Sequence, residues 1–414
     1  VHDSWAKFNK GNPLVQFAIH RLDTWLWDTP FYKTIHHLLK EGYSIDYISD
    51  RFLKKINVEN GIIQLPGGNY RSIVVPATQN MPLKTLKKLV TLRNMGASVV
   101  FLERPKTVPG FFDYQKREEE LKAFAKEKIN KVYSLKEMEI PLNKAGVIKE
   151  ELTKEGLKFI RREHLGEKIY YLVNHTQNKI EGFIPLSIKA KEVLILDPLT
   201  GKTGKAITEQ QGNMTKVKLS LSSGGSVFLK TFDRVNTAKW KYYKPFKSSY
   251  KIAGRWDFKL ISGGPDDEYS KKINRLSSWT QWGEKMAAFS GTAQYEIKFN
   301  RPTEHNGPWL LELGDVRESA KVWLNDQFLG TLWSNPYQLT INNLKKGKNT
   351  LRIRVTNLGS NRIKAKEARG EEWKTFYNIN VVGLDYQPFD ASKLDVLDAG
   401  LMESPLLTPI EIIE

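Results

Sequence analysis

The 414-residue sequence contains no cysteine, which removes disulfides, thiol nucleophiles and cysteine-ligated zinc together. No stretch approaches the ~20 consecutive apolar residues that a membrane-spanning helix needs. The most hydrophobic runs, Ser72–Pro76 and Ser98–Leu102, are strand-sized. GxSxG, HExxH and GxGxxG patterns are all missing, so serine-hydrolase, zincin and dinucleotide chemistry have no support. Gly201-Lys202-Thr203 ends like a phosphate-binding loop, but Leu196 stands where the first glycine is required. A turn between two strands accounts for it better. His36-His37 are adjacent on a predicted helix and cannot face one metal. Acidic residues are the minority charge, 46 against 64 basic, for a net +18.

What is present describes a folded, multidomain chain. Hydrophobic residues make up 40% and aromatics 11%, which excludes disorder, and the length argues for about three domains. Residues 51–100 hold 8 basic and 1 acidic side chains, and residues 201–250 hold 10 and 2, so two windows carry most of the excess. Their lysines are scattered, with no long basic run and no helix-turn-helix or RNP-type signature, so nucleic acid is not the expected partner. A solvated basic surface is the plainer reading. Attraction to an acidic polysaccharide is the second. The chain opens at Val1 without a basic segment leading into an apolar one. The expectation is that a targeting segment has been removed or that this is the downstream part of a longer polypeptide.

The patterning divides the chain. Residues 1–43 are helical and aromatic, with Trp5, Phe8, Trp25, Trp27, Phe31 and Tyr32 leading into a helix over Phe31–Lys40 capped by Gly42. So many large rings on a short arm suggest a segment that docks on another domain. Residues 44–153 alternate strand and helix. Arg71–Val75, an amphipathic helix over Pro82–Met95 and Ser98–Leu102 make a βαβ unit, with Leu83, Leu86, Leu89, Val90 and Met95 on the buried helix face. A charged helix (Lys116–Lys128), a short strand near Val132-Tyr133 and a second helix (Leu142–Leu152) complete it. Residues 154–235 switch to period two, with six strand candidates that predict a small β-sandwich; Asp197–Lys205 reads as a turn cluster. Residues 236–253 are basic, aromatic and aperiodic, and read as a linker. Residues 254–414 return to strands, and in Thr350–Thr356 Leu351, Ile353 and Val355 point one way and Arg352, Arg354 and Thr356 the other. This predicts a jelly roll. The fold class expected is therefore multidomain α/β plus all-β.

Trp279, Trp282, Trp309, Trp323, Trp333 and Trp373 concentrate in the last domain. Indole rings stack on the CH-rich faces of sugars, while Asn, Arg and Asp satisfy the hydroxyls around them. Trp323 alternates with Val322 and Leu324, away from the core, and Trp333, Asn335 and Tyr337 cluster beside Pro336. Structural packing remains the commoner fate of any one such ring. Glycosidic hydrolysis needs two carboxyl groups flanking the bond, and Asp23, Asp28, Glu41 and Asp46 near the aromatic arm are better read as surface charge or caps. Asn174-His175-Thr176 and Asn213-Met214-Thr215 fit glycosylation sequons, which matter only in a eukaryotic secretory context.

Several segments carry a resemblance. Phe289–Tyr295, Leu311–Ala320, Val322–Asn325 and Leu329–Leu332 look like the sugar-binding jelly roll (galactose-binding-like) of large glycoside hydrolases. Val355–Leu358 with Asn361-Arg362-Ile363, Trp373–Asn380 and the region from Ser392 to Pro409 resemble the C-terminal end of glycoside hydrolase family 106, the α-L-rhamnosidases. Asp46–Asp50, Tyr70–Pro76 and Leu83–Val100 resemble the flavodoxin-like domain that follows the barrel in that family, and Ile195–Gly201 its β-sandwich. One departure is Asn325-Asp326 where the family usually has Asn-Gly. Another is the missing (β/α)₈ barrel, which needs about 250 residues and holds the family's two catalytic glutamates; no catalytic residue can be carried over.

The resemblance implies the non-catalytic C-terminal region of a secreted or periplasmic glycoside hydrolase, whose parent removes terminal rhamnose from plant or algal polysaccharides. The implied partners are an upstream catalytic barrel and a rhamnose-containing carbohydrate, anionic in some polysaccharides. No catalytic cofactor is implied, and a structural calcium is allowed. The residues expected to touch sugar are Trp333, Asn335, Tyr337, Trp323, Asn361 and Arg362. Two other readings stand beside this: a stand-alone carbohydrate-binding protein, and an acidic-polysaccharide scaffold.

Overall fold

The computed structural model describes residues 22–265, 268–302, 305–342, 344–375 and 387–413. Trp5 and Phe8 of the expected docking arm, and Phe376–Asn380 of the resemblance, lie outside the described residues. The described chain is mostly β-sheet with few helices, and none of the latter is long and apolar enough to cross a membrane. It divides into two compact units. One is built on residues up to Glu155 with Pro185–Lys189 and Gln210–Thr215; the other takes Gly156–Ile184, Ala190–Glu209 and Lys216–Glu414.

In the first unit the expected βαβ element is present. Ser72–Val75 and Ser98–Phe101 pair in parallel, joined through the helix Leu83–Asn94. Because successive side chains of a strand point to opposite faces, Val74 and Val100 join Leu38, Tyr43, Met138 and Leu142. Ile73, Val75 and Phe101 join Leu86, Leu89 and Leu92 instead. Both faces of the pair are thus covered, as a parallel arrangement requires. Met95 departs from expectation: the helix ends at Asn94, Met95 is its half-exposed cap, and Leu92 takes the buried place. Near Val132-Tyr133 there is one backbone hydrogen bond, Tyr133 N–H to the Phe101 carbonyl at 3.0 Å, and no strand. The helix expected over Leu142–Leu152 is instead two pieces, Glu139–Lys144 and the 3₁₀ turn Glu151–Glu155, because Gly146 adopts φ +72° between them.

The helix Pro30–Lys40 ends as its sequence predicts. Gly42 sits at φ +91°, its N–H bonds the Leu39 carbonyl, and the Tyr43 N–H reaches back to the Leu38 carbonyl. This is a Schellman termination, and it turns Tyr43 into the core. A β-carbon on Gly42 would lie 2.1 Å from the Glu150 carbonyl oxygen, and the Glu150 N–H donates to the Gly42 carbonyl at 2.8 Å. Only glycine fits there.

All six strands expected between residues 154 and 235 form. A five-stranded antiparallel sheet runs Thr203–Lys205, Glu192–Leu196, Ser226–Phe232, Glu167–Asn174, Leu157–His164 in spatial order. Thr203–Lys205, expected as turn, pairs with Leu194–Leu196 at the sheet edge. Asn174, the first residue of a sequon, is fully buried. Its side-chain amide donates to the carbonyls of Asn178, Leu221 and Ser222 at 2.8, 3.0 and 3.1 Å, and its Oδ1 accepts from Thr176. It plugs the junction of two turns.

From Tyr242 onward the described residues build a six-stranded and a five-stranded antiparallel sheet around one core. Six strands run Ser270–Ile273, Trp256–Gly264, Ser290–Asn300, Lys348–Thr356, Ser319–Leu324, Gln327–Leu332. The facing sheet holds Tyr242–Pro245, Leu406–Ile413, Trp309–Glu312 and Gln338–Ile341, with Tyr250–Lys251 also on Leu406–Ile413. Trp256, Phe258, Tyr295, Val322, Leu351, Ile353 and Val355 from one meet Trp309, Leu311, Ile341 and Leu407 from the other. The segment read as a linker therefore contributes two strands. Its aperiodic sequence hides them because each is short and borrows its pairing from the long C-terminal strand.

Gly42→Ala is expected to lower unfolding free energy by more than about 1 kcal/mol, combining positive φ with a backbone clash. Gly146→Ala, at positive φ in open space, loses less. Urea denaturation of the two variants checks the order.

Candidate functional site

The outer face of the six-stranded sheet follows from alternation. Leu351, Ile353 and Val355 are buried, so Arg352 and Arg354 must emerge on the opposite side. Strand register then sets their neighbours. Asp257, Glu296, Arg352, Trp323 and Phe328 form one row across the sheet, and Lys259, Gln294, Arg354, Lys321 and Thr331 the next.

Within these rows the contacts are specific. The Arg354 guanidinium carbon stands 5.1 Å from the Trp323 ring centroid, and its Nε donates to Gln294 Oε1 at 2.9 Å. Phe328, exposed, lies 5.3 Å from Trp323 between ring centroids at 52°. Arg352 donates from Nε to Glu296 Oε2 at 3.0 Å and from Nη2 to Asp326 Oδ1 at 2.5 Å. The hydrogen bond to Glu296, with Asp326 adding to it, raises the Arg352 pKa further above its ordinary value. Asp326 replaces the glycine usual at this hairpin position. Asn325 and Asp326 both take left-handed φ, +50° and +67°, so the turn survives the change and gains a carboxylate. Beside the rows lies an open depression of about 410 Å³, lined in part by Asp257, Lys259, Lys272, Gln294 and Glu296. The arrangement offers an aromatic face, fixed cations and amide and carboxylate acceptors on a rigid support.

The six residues expected to touch sugar do not form one exposed surface. Trp323 is half-buried on the platform just described, and Trp333 (63% exposed) and Asn335 are open to solvent after the edge strand Gln327–Leu332. Tyr337 is 9% exposed, with its hydroxyl donating to the Glu318 carbonyl at 2.6 Å; burial raises its pKa. Asn361 is 3% exposed and exchanges two hydrogen bonds with Leu397, amide to carbonyl at 2.8 Å and N–H to Oδ1 at 2.9 Å. Arg362 is half-buried, and its guanidinium fills the space a side chain at Gly264 would need. For Tyr337 and Asn361 the structure corrects the expectation: their polar atoms are used inside the fold. Of the other tryptophans, Trp279 and Trp309 are core. Arg354, Gln294 and Phe328 were missed. The wet-face alternation of Thr350–Thr356 pointed toward the arginine, but only register shows what it meets.

Among the described residues no group of three or more His, Cys, Asp or Glu is placed to hold a metal ion, so the calcium that the resemblance allows has no assigned ligands.

Comparison with known proteins gives the following. Residues 26–210 match the model of the family described as alpha-L-rhamnosidase, glycoside hydrolase family 106. A putative beta-glucuronidase of Formosa agariphila is 36% identical over 120 residues, which is 27% of this chain and 10% of that protein. The rhamnosidase structure from Novosphingobium sp. PP1Y superimposes with a TM-score of 0.64 at 24% identity, covering 87% of this chain and 36% of that one. The chain thus spans about a third of the rhamnosidase's length. The resemblance to that family read from Asp46–Asp50, Tyr70–Pro76, Leu83–Val100 and Ile195–Gly201 falls inside the family match, which bears it out as far as the family. The segments after Phe289 lie beyond it, where the likeness to the solved rhamnosidase speaks for the fold.

Asn361→Ala is expected to cost about 1–3 kcal/mol of stability by removing the two hydrogen bonds that buried Asn361 exchanges with the Leu397 backbone. Trp333→Ala should stay within about 0.5 kcal/mol of the parent. Chemical denaturation monitored by circular dichroism distinguishes the two.

Proposed function

From the alpha-L-rhamnosidase family sequence carried by residues 26–210, we infer that this chain is the downstream, non-catalytic region of a glycoside hydrolase. Its parent hydrolyses terminal α-L-rhamnose from plant or algal polysaccharides in a secreted or periplasmic setting, with the reactive carboxylates on an upstream barrel. In this reading residues 44–153 are a flavodoxin-like domain, 154–235 a small β-sandwich and 254–414 a jelly roll of the galactose-binding type, with 1–43 a docking arm. The short strands within 236–253 belong with the roll, so that segment is no longer read as a free linker.

The role assigned to the roll is to hold polysaccharide near the barrel. The observation that carries it is the Trp323 ring clamped by Arg354 beside exposed Phe328. An indole fixed in place offers a stacking face at little entropic cost on binding. Arg354, Lys259 and Lys321 give that face cations suited to uronate or sulfate groups. Trp333 and Asn335 extend it at the sheet edge. A stand-alone carbohydrate-binding protein uses the same face, and differs only in having no barrel to serve.

Affinity electrophoresis through gels containing rhamnose-rich acidic polysaccharide should retard the chain. Trp323→Ala should abolish most of the retardation with little loss of stability, and the chain alone should not cleave an aryl α-L-rhamnoside. Retardation that is unchanged in Trp323→Ala removes the platform from this role. If it is steep in salt yet insensitive to Trp323, the binding is diffuse attraction by the basic surface.

A further inference from the structure

Among the described residues the most exposed aromatic side chains are Phe111 and Phe112, each 87% open to solvent. Two successive phenyl rings held in water work against the hydrophobic effect, so what keeps them there is informative. The loop turns at Gly110, φ +84°, and enters the helix Tyr114–Lys128 through Asp113 at φ +49°. The Asp113 side chain makes no cap there. Arg117, one turn into the helix, braces the loop instead. Its Nε donates to the Phe112 carbonyl at 2.7 Å, Nη1 to that of Pro109 at 3.1 Å and Nη2 to that of Gly110 at 2.7 Å. At the base, Val108 is buried in the core, and the Tyr114 hydroxyl lies 2.6 Å from Thr107 Oγ1 and donates to Glu118 Oε1 at 2.8 Å.

A lone exposed ring is ordinary. Two adjacent rings on a loop fixed by charge-assisted bonds to three of its own carbonyls are a prepared contact, because the loop is ordered on folding rather than on docking. Size and charge point to the occupant. Covering both rings buries about 300–400 Å², roughly half of the ~800 Å² that a stable interface takes from each partner. Such a tip is too small to hold a separate molecule, a second copy included. It suffices for a partner on the same polypeptide, where tethering supplies a high effective concentration. Residues 106–122 carry four basic and four acidic side chains, so no excess of positive charge draws the tip to anionic lipid. The tip also lies within residues 26–210, the part that matches the rhamnosidase family.

We propose that Phe111 and Phe112 form a wedge that seats the first compact unit in an apolar recess of the upstream catalytic barrel. This rests on the reading above that such a barrel belongs to the same polypeptide.

Hydroxyl-radical footprinting read by mass spectrometry, on this chain and on the intact native polypeptide, tests it. In the intact polypeptide, oxidation of Phe111 and Phe112 should fall roughly tenfold relative to this chain, the change from an exposed ring to a core-like one. Phe111→Ser combined with Phe112→Ser should leave the thermal midpoint of this chain unchanged, which shows that the variant folds. In the intact polypeptide the same pair should speed tryptic cleavage between the barrel and the first unit several-fold. Equal oxidation in the two forms overturns the docking while the barrel reading stands, and so does an unchanged cleavage rate. An intact mass equal to the 47.6 kDa of this chain removes the barrel, and the proposal with it. Ring protection that grows with the concentration of this chain alone, or that appears on adding phosphatidylcholine vesicles, also overturns it, in favour of a second copy or a lipid surface.

Discussion

The strand Lys348–Thr356 is the member on which the two sheets from Tyr242 onward depend. It lies between Ser290–Asn300 and Ser319–Leu324, hydrogen-bonded to both. Its inward residues Leu351, Ile353 and Val355 are wholly buried, and its outward residues Arg352 and Arg354 are the cations of the exposed face. A slip of one residue would bury two guanidinium groups and expose three aliphatic side chains. Buried Asn349 opposes that slip. It accepts from Asn325 Nδ2 at 2.9 Å and from the Lys345 N–H at 3.0 Å, tying the strand's start to the neighbouring hairpin. Core and surface are therefore fixed by the same register.

That register explains why the face is rigid although its side chains are long. Arg352 is held between Glu296 and Asp326, and Arg354 between the Gln294 amide and the Trp323 ring. Ordering such chains normally costs rotamer entropy, which here is lost on folding rather than on contact with a partner. Exposed ion pairs of this kind add little to stability; their weight lies in orientation.

Much of the fold was legible because it rests on local pattern. The βαβ element and the strands before residue 235 announce themselves through periodicity, and Gly42 and Gly96 mark helix ends through the conformation they alone adopt easily. The failures share one cause. Tyr242–Pro245 and Tyr250–Lys251 owe their existence to a partner strand more than 150 residues away in sequence, and so does the edge strand Thr203–Lys205 to its neighbour. Met95 fell on the wrong face because the helix stopped one residue sooner. At the site, Trp323 could be placed outward from its neighbours alone, but Tyr337 and Asn361 could not be placed inward. Their hydrogen bonds run to Glu318 and Leu397, which no spacing rule connects.

The Asn174 plug carries a consequence for biosynthesis. Its amide is spent on three carbonyls within a closed junction of turns, so no transferase can reach it once the module has formed. Sugar attachment at Asn174 and maturation of this sandwich are rival fates of the nascent chain, decided by whichever comes first. In a host that decorates Asn-X-Thr during translocation, a bulky branch installed early would leave those carbonyls uncapped and the junction propped open. A host lacking that machinery never poses the choice.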